Sequence, residues 1–204
     1  MRIAGITRDS YANGPGRRNV LHVQGCTIGC PGCFNKHTWP ESGGEEISRL
    51  DAASALLAGD PDGVTISGGE PMEQWADVML MIKSMVTLNR GPSDKLKELS
   101  VVIFTGWTRD RLEKSGYLDD MKMPFFVNKT LVSMVIAGPY VEKLACNKPL
   151  VSSSNQEIIY TNPAYEQEVD LTNLPRVEVS CGEDGLVRIT GLPDKDTLDE
   201  LRRA

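Results

Sequence analysis

Cys26, Cys30 and Cys33 stand in the stretch CTIGCPGC with the spacing C-x3-C-x2-C. Thiolates so close on one loop bind zinc or an iron–sulfur cluster, and a closed structural site takes four ligands. Two completions are open. His37 follows Cys33 with three residues between and gives a Cys3His set suited to zinc. A cubane cluster held by three thiolates instead leaves one iron for an exogenous ligand, which turns the loop into a reaction site. Spacing alone does not separate the two.

A second stretch breaks the tie. Ser67-Gly68-Gly69-Glu70-Pro71 follows the apolar run GVTIS. Paired glycines let backbone approach a ligand closely, and the carboxylate of Glu70 suits an ammonium group. Taken alone, the same residues make an ordinary strand-to-helix turn with an acidic first turn and an early proline. The zinc reading leaves this motif unexplained, whereas an open cluster with an amine-bearing ligand uses it.

The elements around these motifs form an alternating pattern. MRIAGI and Asn19 to Gln24 read as strands separated by DSYANGPGRR, whose Gly14-Pro15-Gly16 enforces a loop, and the cysteines follow the second strand directly. SRLDAASALLAGD has helical spacing at Leu50, Ala53, Leu56 and Leu57 and stops at Gly59. GVTIS is a short buried strand, and a helix is expected from about Met72 to Leu88 with Met72, Trp75, Met79, Ile82 and Val86 on one stripe. The methionines of that stripe read as core filling. NRGPSDKLKEL is a polar connection, SVVIFTG a strand, TRDRLEKSGYL a short helix and LVSMVIAG a strand ending at Gly138-Pro139. Strands alternating with helices, apolar enough to be buried on both faces, indicate an α/β fold with a mainly parallel sheet. Ligands of such sheets bind at the carboxyl ends of the strands, so the cysteine loop and SGGEP belong on one rim. Beyond Asn155, EIIYT, RVEVSC and LVRITG read as short strands, the last two joined by GEDG as an antiparallel hairpin, before a final short helix DTLDELRRA.

With 204 residues the chain suits a single domain. Five cysteines, three in one loop, are a poor disulfide framework and fit a reducing compartment. Cys146 and Cys181 lack metal-spaced partners and read as buried small hydrophobes. The net charge of −6 argues against non-specific nucleic-acid binding, Arg17 and Arg18 being a local basic pair that a loop usually leaves solvated. No apolar run spans a bilayer and the first residues lack the pattern of a signal peptide, so a cytoplasmic protein with no nucleic-acid or membrane partner is expected. His22, on an apolar strand, reads as a satisfied core or rim histidine.

The combination of C-x3-C-x2-C with a GGEP turn resembles the radical S-adenosylmethionine superfamily. NGPGRR is similar to the (D/N)GPG-x-R segment of activating enzymes of glycyl-radical enzymes. CPGCFNKHTW, IAGPY and VSSSNQ resemble stretches of the anaerobic ribonucleotide reductase activating proteins, from about Tyr11 to Gln156. Ser133 stands where that family often has aspartate and Ser152 where it has glycine, departures that bear on the distal half of the cofactor or partner site. Gly32 replaces the aromatic residue of the general superfamily pattern, as is usual in this subgroup.

The resemblance implies a 4Fe-4S cluster on Cys26, Cys30 and Cys33, with the open iron chelated by S-adenosylmethionine. Reduction through the cluster then cleaves the cofactor to methionine and a 5′-deoxyadenosyl radical. Gly32, Phe34 and Asn35 would border the adenosyl part, and Ser67, Gly68, Gly69 and Glu70 would hold the methionine end, with Thr105 a weaker candidate. Asn155 and Gln156 would either meet the partner or cap a turn, and His37 reverts to a surface residue. The implied activity is hydrogen abstraction from a glycine of the large subunit of anaerobic ribonucleotide reductase, with reduced flavodoxin or ferredoxin as donor; another glycyl-radical enzyme or a small molecule is the alternative substrate. A full (β/α)8 barrel takes about 250 residues. The implied fold is therefore a partial, open barrel, with residues 1–156 as the core and 157–204 as an extension packed on it. An open side suits a protein substrate.

Overall fold

The computed structural model describes residues 1–88, 99–126, 129–181, 185–194, 197, 199, 200 and 203. The connection before the third buried strand (89–98), the turn of the C-terminal hairpin (182–184) and most of the final helix expected over 196–204 lie outside the described residues.

Seven strands form one sheet: β1 (Arg2–Ser10), β2 (Arg18–Val23), β3 (Glu45–Glu46), β4 (Gly63–Gly68), β5 (Ser100–Thr105), β6 (Met134–Ala137) and β7 (Glu157–Tyr160). The order is β7-β6-β5-β4-β2-β1-β3. The four central strands β2, β4, β5 and β6 are parallel, and β1, β3 and β7 add antiparallel strands at the edges. The connections carry helices α1 (Arg49–Leu57), α2 (Trp75–Leu88), α3 (Arg109–Lys114) and α4 (Tyr117–Lys122). Because the parallel strands progress in one direction across the sheet, right-handed crossovers place all four helices on one face.

The two-residue period of the strands divides the core accordingly. Val101, Ile103, Val135 and Ala137 join Leu56, Met81, Ile82, Leu112 and Met121 of the helices in the larger cluster. Val102, Met134 and Ile136 face the other way, where Leu150, Ile158 and Tyr165 pack. Beyond β7 come α5 (Pro163–Glu168) and a two-stranded ribbon of Val177–Cys181 with Val187–Gly191.

Most expected elements are present, with corrections. EIIY extends the main sheet as β7. TRDRLEKSGYL forms two helices: Gly116, at φ +77°, ends the first and starts the second, which runs on to Lys122. The buried stripe of α1 is Ala52, Ala53 and Leu56, and Leu50 is 57% exposed. Ser48 caps that helix by accepting from the Asp51 amide. Cys146 is only half-buried and Cys181 is exposed, so neither is the core residue expected.

Candidate active site

The cysteine loop leaves the carboxyl end of β2 and is folded back by its own backbone. Gly25 N donates to Thr38 O at 2.8 Å, Cys26 N to Trp39 O at 3.1 Å and Cys33 N to Cys30 O at 3.1 Å. The amide of Gln24 donates to Pro40 O at 2.7 Å and closes the return of the loop. The three thiols are half-buried. Burial pushes those of Cys26 and Cys30 up.

The SGGEP turn leaves the end of β4, parallel to β2 and hydrogen-bonded to it. Its glycines answer a steric demand. A Cβ on Gly68 lies 2.7 Å from His22 Cα, and one on Gly69 lies 2.2 Å from Gly25 O. Gly69 N donates to Val23 O and Glu70 N to Gly25 O, both at 2.8 Å. The close approach these glycines allow is thus to the root of the cysteine loop, and it fixes one motif against the other. Glu73 adds a tie by accepting from Thr27 N at 3.0 Å.

Glu70 is 1% exposed. Its Oε1 accepts from Met72 N at 3.0 Å and Thr105 Oγ1 at 2.6 Å, and Oε2 accepts from Gly106 N at 2.8 Å. The carboxylate therefore staples its turn to the end of β5. Burial outweighs these three donors and pushes its carboxyl up to about 7. A raised acid pKa favours the folded state below the unfolded value of 4.5, and that contribution is lost as pH rises through about 7. The unliganded protein is expected to lose up to roughly 3 kcal/mol from this group across that window. Urea midpoints measured from pH 5 to 8 should fall more steeply for the wild type than for Glu70→Gln.

Cys26, Cys30, Cys33, Ser67, Gly68, Gly69 and Glu70 line one cleft of about 130 Å³, together with Thr105 and Gln156. Phe34 and Asn35 line a narrower adjoining cavity of about 50 Å³, which shares Ser67 and Phe104 with the cleft. Gly32 lies outside both linings; a Cβ there stands 3.2 Å from Tyr140 Cε1 and 3.3 Å from Glu142 Cδ. Ile28, Trp39, Phe104 and Tyr140 also wall the cleft; Trp39 and Tyr140 lie in the stretches CPGCFNKHTW and IAGPY, but the sequence assigns none of the four a role. A signal existed for Phe104: strand alternation puts it on the face opposite Val101 and Ile103.

The donor set can be tested against the two metal readings. Among the described residues, no three His, Cys, Asp or Glu side chains converge as one metal ion requires, and His37 is exposed. A Cys3His zinc centre needs all four ligands about one ion. A cubane takes each thiolate on a different iron. Three soft, half-buried thiols around a cleft fit the cluster.

Other expectations resolve locally. His22 Nε2 lies 3.0 Å from Thr7 Oγ1, and burial lowers its pKa to about 4, so it is a satisfied neutral histidine. Thr105 is both cleft wall and strand cap, accepting from Trp107 N at 3.0 Å. Asn155 Nδ2 donates to Pro139 O at 2.8 Å and Gln156 Nε2 to Gly138 O at 3.0 Å, so both hold the IAGPY turn. Ser133 sits at the start of β6, away from the cleft, where its hydroxyl accepts from Val101 N at 3.2 Å. Ser152 only gives its amide to Gln156 Oε1 at 2.9 Å. Neither residue lines the cleft itself, although the Ser152 amide bonds to Gln156, which does.

Arg17 and Arg18 do not form a solvated pair. Arg17 meets Asp9 at 2.6 Å, whereas Arg18 is fully buried. Arg18 directs Nε to Thr65 Oγ1, Nη1 to Pro15 O and Ser100 Oγ, and Nη2 to Val64 O and Ser100 O. All five of its N–H groups thus meet neutral oxygens, tying the GPG loop to the starts of β4 and β5.

Comparison with known proteins matches the 4Fe-4S single cluster domain over residues 12–159. The anaerobic ribonucleoside-triphosphate reductase-activating protein of Enterobacteria phage T4 is 27% identical over 156 residues, 72% of this chain and 86% of that protein. The protein of the same description from Vibrio cholerae is 30% identical over 139 residues, 65% of this chain and 80% of the relative. The pyruvate formate-lyase-activating enzyme of Clostridium pasteurianum is 38% identical over 79 residues, 36% of this chain and 33% of the relative.

Proposed function

The chain belongs to the 4Fe-4S single cluster domain family, among the radical S-adenosylmethionine activating proteins, and from that premise we propose that it activates anaerobic ribonucleotide reductase. The enzyme reductively cleaves S-adenosylmethionine and removes a hydrogen atom from a glycine of the reductase, leaving a glycyl radical there. The observation that carries this reading is the meeting of three cysteines and Ser67-Gly68-Gly69-Glu70 around one cleft at the carboxyl ends of parallel strands.

When bound, the cluster and S-adenosylmethionine supply the electron and the cleavable carbon–sulfur bond. Cys26, Cys30 and Cys33 would hold the cluster, and S-adenosylmethionine would complete its ligand set. Ser67, Gly68 and Gly69 border the methionine end. Glu70 acts there through its charge and by fixing the turn, since its oxygens already accept three hydrogen bonds. An approaching ammonium favours the ionised carboxylate that burial opposes. Phe34 and Asn35 would border the adenosyl part from the adjoining cavity, whose lining does not include Gly32. Phe104, Tyr140, Trp39 and Ile28 keep water from the reacting atoms.

We read the fold as a partial, open (β/α) barrel. Its helices lie on one face of a sheet with unidirectional order, and its open side admits a glycine-bearing loop of another protein. Residues 1–156 are the radical S-adenosylmethionine core and 157–204 an extension whose first strand joins the core sheet. The electron donor is a reduced flavodoxin or ferredoxin. The setting is cytoplasmic, in keeping with five free thiols; no helix among the described residues is long and apolar enough to cross a membrane. The test is chemical: anaerobically reconstituted protein with dithionite and S-adenosylmethionine is expected to release 5′-deoxyadenosine and methionine. A protein that carries the cluster and releases neither contradicts the reading.

A further inference from the structure

The C-terminal ribbon is amphipathic in an unusual sense. Its register pairs Val177 with Gly191, Val179 with Ile189 and Cys181 with Val187, so these residues share one face. Glu178, Ser180, Arg188 and Thr190 share the other. The polar face is the one bonded to the core: Glu178 accepts from Ser10 Oγ at 2.6 Å and Tyr11 N at 2.8 Å, and Thr190 Oγ1 accepts from Asn13 Nδ2 at 2.8 Å. On the apolar face Val179 is 51% and Val187 60% exposed.

A two-stranded ribbon with exposed valines is marginal in water unless something covers it. Among the described residues it pairs with no further strand. Its position points to what covers it. Ile189, Thr190, Gly191 and Leu192 wall the narrow cavity that holds Phe34 and Asn35 and opens beside the cysteine cleft. Tyr11 and Phe34, 50% and 39% exposed, flank the base of the ribbon. An enzyme acting on a residue of another protein must touch that protein around the mouth of its site, and here the ribbon is part of the mouth. The ribbon also lies outside the matched family region, residues 12–159, so the shared cluster chemistry does not account for it.

We propose that the apolar face of this ribbon, centred on Val179 and Val187, is the surface on which the glycine-bearing protein substrate docks. The proposal rests on the activating function above. Exposed valines and aromatics supply the apolar contact, and the bonds of Glu178 and Thr190 hold the ribbon in place to receive it.

The experiment compares wild type, the double variant Val179→Thr with Val187→Thr, and the double variant Val179→Lys with Val187→Lys, all anaerobically reconstituted. Two readouts are taken: 5′-deoxyadenosine formed with dithionite alone, and glycyl radical formed on purified anaerobic ribonucleoside-triphosphate reductase. Both variants should match wild type in the first. In the second, the reductase concentration for half-maximal radical formation should rise about fivefold for the threonine pair and about tenfold or more for the lysine pair. Variants equal to wild type in radical formation overturn the docking face while leaving the activity intact. So does a wild type that dimerises through this face, with a monomeric lysine variant still fully active on the reductase. A wild type that cleaves S-adenosylmethionine yet forms no radical on the reductase overturns the functional reading, and the identity of the docking partner with it.

Discussion

Cys30→Ser is expected to leave a colourless protein that releases no 5′-deoxyadenosine above background under reducing anaerobic conditions. Cys30 stands between the other two ligands on a loop already fixed by backbone hydrogen bonds at both ends, so the variant should fold. Serine keeps the shape but not the soft thiolate that iron–sulfur clusters require. The loss should exceed about a thousandfold, because the chemistry belongs to the cofactor and no protein acid or base can replace it. Iron and sulfide analysis beside product chromatography checks both halves. A Cys30→Ser protein that keeps its cluster and its turnover contradicts the ligand assignment, and the same applies to Cys26 and Cys33.

The second large effect lies away from the cleft. Arg18→Ala should destabilise the protein by about 3–5 kcal/mol, on the scale of breaking a buried hydrogen-bond network and leaving a cavity. It removes a fully buried guanidinium and takes a donor from Thr65 Oγ1, Ser100 Oγ and three carbonyls, Thr65 Oγ1 keeping its own bond to Asn13 O. Burial lowers the guanidinium only to about 10, so the group stays charged at neutral pH. Arg18→Met should not recover the loss, since an apolar chain fills space but leaves the same oxygens without donors. Arg18→Lys, with three donors for five acceptors, should fall between. With typical stabilities of about 5–15 kcal/mol, this loss takes a large share of the total, and urea midpoints rank the series. Arg18→Met matching wild type contradicts the account of Arg18 as the tie of the GPG loop.

Arg18 also marks where sequence reading stops. In NGPGRR the two arginines look alike, and nothing in a linear pattern tells that one pairs with Asp9 on the surface while its neighbour is swallowed by the starts of three parallel strands. Glu70 teaches the same lesson. The motif and its place at a strand end were legible, because GVTIS and the following turn carry strong local signals. That the carboxylate turns inward to Thr105 and Gly106 depends on β5 lying beside β4, a contact between residues 35 or more apart. Paired glycines suggest room for a ligand, whereas in the fold they make room for β2 and the root of the cysteine loop.

Local chemistry was otherwise a good guide. The alternation of strands and helices gave the parallel centre of the sheet, and one apolar strand followed by three cysteines placed the loop on the correct rim. What stays out of reach is tertiary. β7 joins β6 because Ile159 has a core to enter. The ribbon turns its valines outward because Glu178 and Thr190 find partners in β1 and the loop after it. No window of sequence contains both sides of either choice.

The central claim is that this chain takes a hydrogen atom from a glycine of another protein. The direct measurement incubates the reconstituted, reduced protein and S-adenosylmethionine with anaerobic ribonucleotide reductase carrying deuterated glycine. Electron paramagnetic resonance then follows the reductase, and mass spectrometry follows the released 5′-deoxyadenosine. The expected result is a glycyl radical on the reductase together with deuterium in the 5′-deoxyadenosine. Release of 5′-deoxyadenosine without deuterium, and with no radical on the reductase, contradicts the claim.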